Sequence, residues 1–277
     1  MRVLLTGASG FIGRHVAARL RERGHEVISV GRNAESDVVL DLLDESAIAR
    51  ANLRADALLH LAWFAKPGEF WSSPENERWA GAGLALVRRF AEGGGTTVVV
   101  AGSCAEYGDG AERALRESDA LAPSTRYGAA KAALFESLMS ECGRDPRLRL
   151  AWARIFYPYG PGEPEEKLIP RLRREIGDGR VPELRTPDRL LDYIHVTDVA
   201  EGFSRILEGG VRGPINLGSG AGVSARQIAA ALARRLRPEL TSTIATLVGT
   251  SPPALPIIAD VTRMHAELGS WAMLTTP

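Results

Sequence analysis

Short apolar runs alternate with segments of helical period from the first residues to about residue 155. The runs at 2–6, 26–30, 38–40, 57–62, 97–101 and 148–155 are rich in Val, Leu and Ile, with few polar interruptions. Strands read that way when both of their faces are covered, as in a parallel sheet. Between them, 11–23, 75–92 and 124–142 carry apolar positions at the period of an amphipathic helix. Strand–helix–strand order over this length predicts an α/β chain with a doubly wound parallel sheet.

Beyond 155 the pattern loosens. Residues 157–164 are rich in Pro and Gly and read as loop, as does 241–256. Helical periods return at 167–176, 199–207 and 224–236, and 214–217 reads as one more strand. The expected division is a nucleotide-binding unit from 1–155, to which 190–220 returns, and a smaller substrate lobe from 156–189 and 221–277. Internal repeats and low-complexity segments are absent from the sequence.

Composition narrows the class. The chain has 277 residues, 45% of them hydrophobic, which suits a soluble α/β unit with a small appended lobe. Basic and acidic residues balance at 34 each, so charge gives no reason to expect nucleic acid or an anionic membrane as partner. Cys104 and Cys142 fall in no paired metal spacing and have no His cluster beside them, so no metal is expected and a reducing compartment fits. The N-terminal apolar run is too short for a signal peptide, and no run reaches membrane-span length. A cytoplasmic protein is expected.

The residues with chemistry begin at the first turn. Thr6-Gly7-Ala8-Ser9-Gly10-Phe11-Ile12-Gly13 joins the first strand to the first helix. Gly7 permits the tight turn, Gly10 lets backbone approach a pyrophosphate, and Gly13 lets helix pack on strand, while Ser9, Phe11 and Ile12 open the helix toward the ligand. Free N–H groups and the helix dipole then favour phosphate there. Three glycines alone are weak evidence, but within strand–turn–helix at the chain start they predict a Rossmann dinucleotide site. The second strand ends in Gly31-Arg32-Asn33, with no carboxylate for a ribose 2′-hydroxyl. A cation at Arg32 suits the 2′-phosphate, so NADP is expected, with NAD the alternative if Arg32 is a solvated surface residue. Arg14 is a further cation by the turn.

Tyr127-Gly128-Ala129-Ala130-Lys131 sets a phenol and an ammonium four residues apart on one helix face. An ammonium nearby favours the phenolate, so Lys131 is expected to lower the pKa of Tyr127 and fit it for proton transfer to a carbonyl oxygen or from a hydroxyl. A surface Tyr and Lys share this spacing by chance, and Ser103 changes the balance. It follows the fifth strand, at the carboxyl edge where such sheets bind ligands. A hydroxyl there can orient the reacting oxygen.

With these residues in place, the chain resembles the extended short-chain dehydrogenases/reductases, the NAD-dependent epimerase/dehydratase family acting on nucleotide sugars. The marks are TGASGFIG at 6–13, Asp41-Leu42, HLAW at 60–63, AGSCAEYG at 101–108, YGAAK at 127–131, RIFYPYGPG at 154–162, DYIHVTDVA at 192–200 and INLGSG at 215–220. The resemblance implies that Asp41 and Leu42 lie by the adenine and that Leu61, Ala62 and Trp63 line the cofactor. It implies that Ser103, Tyr127 and Lys131 do the chemistry, Lys131 also holding the nicotinamide ribose. Cys104, Tyr157, Lys167, Leu168, Arg173, Arg189 and Arg263 become substrate-side candidates. A homodimer through the helices at 75–92 and 124–142 is implied as well.

Departures from the family pattern prune the activities. Sugar-nucleotide dehydratases carry Asp-Glu after the hydroxyl residue, where this chain has Cys104-Ala105. The glucuronate decarboxylases carry Glu where this chain has Ala105. In enzymes that epimerise two carbons, the Cys would fall at Ala105, so Cys104 reads as a small buried residue. Tyr157 replaces an Asn, and Leu191 an Arg before Asp192 for which Arg189 stands as substitute. Hydride chemistry with Ser, Tyr and Lys remains. The expected activity is NADPH-dependent reduction of a keto group, placed at C4, on a nucleotide-linked deoxysugar. The alternatives are a 4-epimerase with retained NAD, a reductase of a non-nucleotide carbonyl compound, and a dinucleotide-binding sensor or scaffold without turnover. Trp63, Trp71 and Trp79 are expected near the mouth of the site, stacking on substrate or packing a lid.

Overall fold

Alternation along each strand sorts the core into two layers. The computed structural model describes residues 1–274. In β1 (Arg2–Thr6), Val3 and Leu5 face one apolar layer and Leu4 the other. The same split recurs in β4 (Ala57–His60), β5 (Thr97–Ser103) and β6 (Arg149–Ile155), where Leu59, Val99 and Ala151 share the first layer and Leu58, Val98 and Leu150 the second. With β2 (Glu26–Gly31), β3 (Val38–Val39) and β9 (Gly213–Leu217) these strands form a seven-stranded parallel sheet in the order β3-β2-β1-β4-β5-β6-β9. The predicted doubly wound α/β fold is the observed one.

Helices cover both faces. On the first lie α1 (Phe11–Glu22), α6 (Val196–Gly209) and α9 (Thr262–Leu268), through Val16, Leu20, Phe203, Ile206 and Met264. On the second lie α2 (Glu45–Arg50), α3 (Glu75–Glu92) and α4 (Arg126–Arg144), through Ile48, Leu86, Phe90, Leu134 and Leu138. Both long faces show the spacing read from sequence.

A second sheet, of order β10-β8-β7, joins β7 (Tyr157–Tyr159), β8 (Leu190–His195) and β10 (Gly222–Ser224). It packs with α5 (Leu168–Gly177), α7 (Ala225–Leu236) and α8 (Thr241–Ala245) around Leu172, Ile176, Ile228 and Ile244. Here the sequence reading needs correction. β7 lies in the expected loop at 157–164, and α8 in the one at 241–256. Neither β7 nor β10 exceeds three residues, too few to display a period. β8 belongs to this small sheet, although it falls in the stretch expected to return to the large one. In the other direction, α9 packs on α6 and β9 with Met264 and Leu268 in the large core, not with the lobe.

The β1–α1 turn positions the site. Gly7 has φ of +71°, a conformation in which other residues are strained, and a Cβ there would stand 2.8 Å from the Ala62 nitrogen. A Cβ on Gly13 would meet the Gly7 carbonyl oxygen at 1.9 Å. Helix and strand therefore cross as closely as the glycines allow. Gly13→Ala is expected to cost about 1–3 kcal/mol, as overpacking does. The measurement is urea unfolding, where the midpoint should fall at unchanged slope; an unmoved midpoint would mean that the turn yields freely.

Candidate active site

The carboxyl ends of β1, β2, β4 and β5 open into one cleft of about 800 Å³. Residues 7–14 form its floor, so Gly7, Ser9, Gly10, Phe11, Ile12, Gly13 and Arg14 all line it. Arg32 and Asn33 stand at one end with Arg21, and Leu42, Leu61, Ala62 and Trp63 continue the wall. Asp41 is absent from this lining; its exposed carboxylate accepts the Leu43 N–H at 3.0 Å and closes a local turn. An Asx turn is a common fate of such an Asp, so of the two residues expected by the adenine Leu42 lines the cleft and Asp41 does not.

The cleft fits a dinucleotide. Gly10 is the N-cap of α1 and supplies no capping side chain, so the first N–H groups of the helix stay available to phosphate. The Cβ positions of Gly7 and Gly13 are taken up by backbone of Ala62 and Gly7, so strand, turn and helix close together under the cleft.

Ser103, Tyr127 and Lys131 meet at the other end. Ser103 ends β5 and caps the 3₁₀ turn Cys104–Tyr107, its Oγ accepting the Ala105 N–H at 3.2 Å. The hydroxyl proton is thereby left to point elsewhere. Tyr127 and Lys131 lie one turn apart on α4, whose start is fixed by the Thr125 hydroxyl accepting the Gly128 N–H at 3.1 Å. The Lys131 ammonium is buried, donates to the Ala101 carbonyl at 2.8 Å and sits 3.7 Å from the centre of the Trp63 ring. Burial pulls its pKa down to about 7, the Glu106 carboxylate opposing.

Tyr127 departs from expectation. Burial pushes its phenol up, and the Ser103 hydroxyl is the influence that opposes it. Lys131 does not supply the lowering read from the spacing, because its charge is engaged by Ala101 and Trp63 and is itself weakened by burial. The Cys104 thiol is buried too and is pushed up by desolvation, with the Asp192 and Glu106 carboxylates adding to the rise. It stays a neutral thiol, the inert packing residue expected.

Of the substrate-side candidates, Cys104, Tyr157 and Lys167 line the cleft. Lys167 places its ammonium 5.4 Å from the Phe11 ring. Leu168 packs into the core of the lobe, and Arg173 is exposed on α5. Arg189 donates to the carbonyls of Leu255 and Asp109, each at 2.8 Å, and so ties two loops together. Arg263 donates to the carbonyls of Pro214 and Arg212 and to Glu267. These four do not line the cleft. Trp71 and Trp79, expected near the mouth, do line it, together with Phe70, Pro158 and Pro164, which the sequence reading missed. Among the described residues no group of His, Cys, Asp and Glu is placed to hold a metal ion. Among them, too, no helix is long and apolar enough to cross a membrane.

Comparison with known proteins decides the family. The model of the NAD dependent epimerase/dehydratase family matches residues 3–218. The chain belongs to that family. UDP-glucose 4-epimerase of Streptomyces lividans is 28% identical over 298 residues, covering 95% of this chain and 89% of that protein. The structure of MoeE5 in complex with UDP-glucose and NAD is similar with a TM-score of 0.80 and 28% identity, covering 99% of this chain and 94% of that one. The UDP-glucose 4-epimerase of Thermus thermophilus, in complex with NAD, matches with a TM-score of 0.77 and 26% identity, covering 96% of this chain and 92% of that one.

Beneath Ser103 this epimerase/dehydratase chain buries an ion pair. Glu106 and Arg154 have side chains 0% and 1% exposed and meet at 2.8 Å. Glu106 also accepts the Ser103 N–H at 2.7 Å and the Trp152 indole N–H at 3.0 Å. Arg154 goes on to the Tyr107 hydroxyl at 3.0 Å, which donates to Asn216 at 2.7 Å. Burial raises the Glu106 pKa, and Arg154 is the largest opposing influence. The signal in the sequence is an Arg inside an otherwise apolar strand; its partner, 48 residues away, is not legible. Removing one member of such a pair strands the other charge. Arg154→Met is expected to cost about 3–5 kcal/mol in denaturant unfolding, and the double variant Arg154→Met/Glu106→Leu to recover most of the loss. Equal losses in the two variants would show that packing alone is at stake.

Proposed function

We propose that the chain is a nucleotide-sugar 4-epimerase that works with a retained NAD. The observation that carries this reading is a cleft with one hydroxyl pair, Ser103 and Tyr127, followed in the chain by a neutral Cys104 thiol and by Ala105, which has no functional group. The group that a dehydration or decarboxylation needs next to that pair is missing, and reversible oxidation at one carbon needs none. The Streptomyces and Thermus relatives support the choice of epimerisation, and MoeE5 supports a nucleotide-linked sugar.

A bound nicotinamide supplies the hydride acceptor and a positive charge that favours the phenolate. Tyr127 then takes the proton from the C4 hydroxyl and later returns one to the keto oxygen. Ser103 donates a hydrogen bond to that oxygen while its own lone pair is occupied by the Ala105 N–H. Lys131, fixed by Ala101, would hold the cofactor ribose with its remaining protons. Protein incubated with UDP-glucose and no added cofactor is expected to form UDP-galactose. Tyr127→Phe should lower turnover about 10²–10⁴-fold while nucleotide-sugar binding persists; near-normal turnover would remove Tyr127 from the mechanism.

A second reading, reduction of a nucleotide-linked 4-keto sugar by NADPH, is favoured by Arg32 and Arg21 at the far end of the cleft. Cations there suit a 2′-phosphate. Burial also keeps the Tyr127 phenol protonated, as an acid for reduction must be. Arg32→Asp is expected to shift the ratio of NADPH to NADH affinity at least about tenfold toward NADH, measured by titration of the protein. An unmoved ratio excludes the 2′-phosphate contact. Consumption of NADPH on a 4-keto-6-deoxysugar, without epimerisation of UDP-glucose, would install the second reading in place of the first.

A further inference from the structure

Lys131 is a buried cation without an anionic partner. The chain has three lysines, Lys66, Lys131 and Lys167. Lys66 pairs with Glu69 at 2.6 Å and Lys167 stands 4.0 Å from Glu163, whereas Lys131 makes no ion pair among the described residues. Glu106 is the carboxylate whose charge reaches it, and Glu106 is held by Arg154 at 2.8 Å. The other titratable groups around it offer no charge. His60 on β4 is neutral, Cys104 stays a thiol, and burial keeps Tyr127, on its own helix, a phenol. Burial with nothing to oppose it discharges an amine.

What Lys131 has instead is a ring. Its ammonium lies 3.7 Å from the centre of the Trp63 ring, against 5.9 Å for that of Tyr127. One of its three protons goes to the Ala101 carbonyl at 2.8 Å. The Trp63 ring is itself anchored. Its indole N–H donates to the Asn76 side-chain oxygen at 2.8 Å, and Asn76, fully buried, donates in turn to the carbonyls of Phe70 at 2.7 Å and Ser73 at 2.9 Å. The single donor of the indole is thus used at its edge, which leaves a face for the ammonium. Indole is the best of the side-chain rings for a cation, and the attraction grows where water is excluded.

We propose that Trp63, held by Asn76, is a positioning residue for the catalytic pair: its face keeps the Lys131 ammonium charged and in place, one turn from Tyr127. The proposal rests on the place of Lys131 in the catalytic group, which both readings above share, and adds a residue that spacing along α4 cannot reveal. A ring suits Tyr127 better than an acid would. A carboxylate against Lys131 would also stand near the phenol, where its negative charge opposes the phenolate. A ring face attracts the ammonium through its quadrupole and carries no net charge. Lys131 is therefore held with no anion added beside Tyr127.

The test reads Lys131 directly. The intact protein, as purified, carries isotope-labelled lysine and is titrated by NMR, where three lysines give three separate curves. Replacing tryptophan by trifluorotryptophan drains the ring faces of electron density and keeps their shape and N–H donors. Among the described residues Trp63 is the indole over which a lysine lies, so Lys131 alone should respond. Its midpoint is expected to fall by about 1 pH unit, roughly tenfold in dissociation constant, with Lys66 and Lys167 unmoved. A lysine loses its charge as pH rises through its pKa, so the basic limb of turnover should move to lower pH with it. Trp63→Phe and Trp63→Leu serve where the fluorinated protein does not fold, and the midpoint should descend from the unaltered protein through Trp63→Phe to Trp63→Leu. An unmoved or rising midpoint, or equal midpoints in those two variants, would show that the ring only fills space and overturn the inference. A falling midpoint in a protein that epimerises nothing keeps Trp63 in this role and overturns the epimerase reading instead.

Discussion

The parallel register of β1, β4 and β5 is the constraint on which the rest of the site depends. Thr6 pairs with His60, and His60 with Val100, so Gly7 and Leu61 leave the sheet level with Ala101. Only β5 continues, because β6 runs beside it through Ala101↔Ala153, Gly102↔Arg154 and Ser103↔Ile155. Ser103 is thus carried past the edge on paired backbone rather than on a loop. A Cβ on Gly102 would stand 2.2 Å from the Trp152 indole nitrogen, so a glycine is needed where β5 crosses the indole that holds Glu106. Precise placement of a reacting hydroxyl asks for such a rigid support.

Burying this edge has an electrostatic consequence. Charge persists only where partners surround it, as with Glu106 between Arg154, Trp152 and the Ser103 N–H. Less well partnered groups give way. His60, buried against Thr6 at 2.8 Å, has its pKa pulled to about 3 by burial and by Lys131, so it is neutral, and its Nε2 has no hydrogen-bond partner among the described residues. Lys131 yields in the same direction. Beside Tyr127 the protein therefore carries little charge. A cation arriving beside Tyr127 would act through little competing charge and strong coupling.

Legibility in the sequence follows the range of the forces involved. Strand and helix periods are local, and so are the demands of a tight turn, so the large sheet, the Gly7–Gly13 turn and the Ser103, Tyr127 and Lys131 set could be read directly. The fates of Arg189 and Arg263 could not. A guanidinium finds carbonyls wherever a loop end is exposed, and these two serve Leu255, Asp109, Pro214 and Arg212. Spacing also misjudged Tyr127, since it gives distance along a helix but not burial, and burial dominates that phenol. The short strands β7 and β10 form because β8 lies between them, a tertiary fact with no trace in three residues.

The two ends of the cleft recognise by different physics. At the cofactor end, glycines bring backbone N–H groups and a helix terminus to bear, with Arg14, Arg21 and Arg32 nearby. Such groups read charge and tolerate variation in what carries it. At the substrate end, Lys167 is the cation besides Lys131, and aromatic faces take up the wall next to Tyr127. Faces of that kind read shape. The segment from Trp63 to Asn76 has no part in the sheet; the buried Asn76 amide ties it together, and the Tyr127 N–H joins it to α4 at the Trp71 carbonyl.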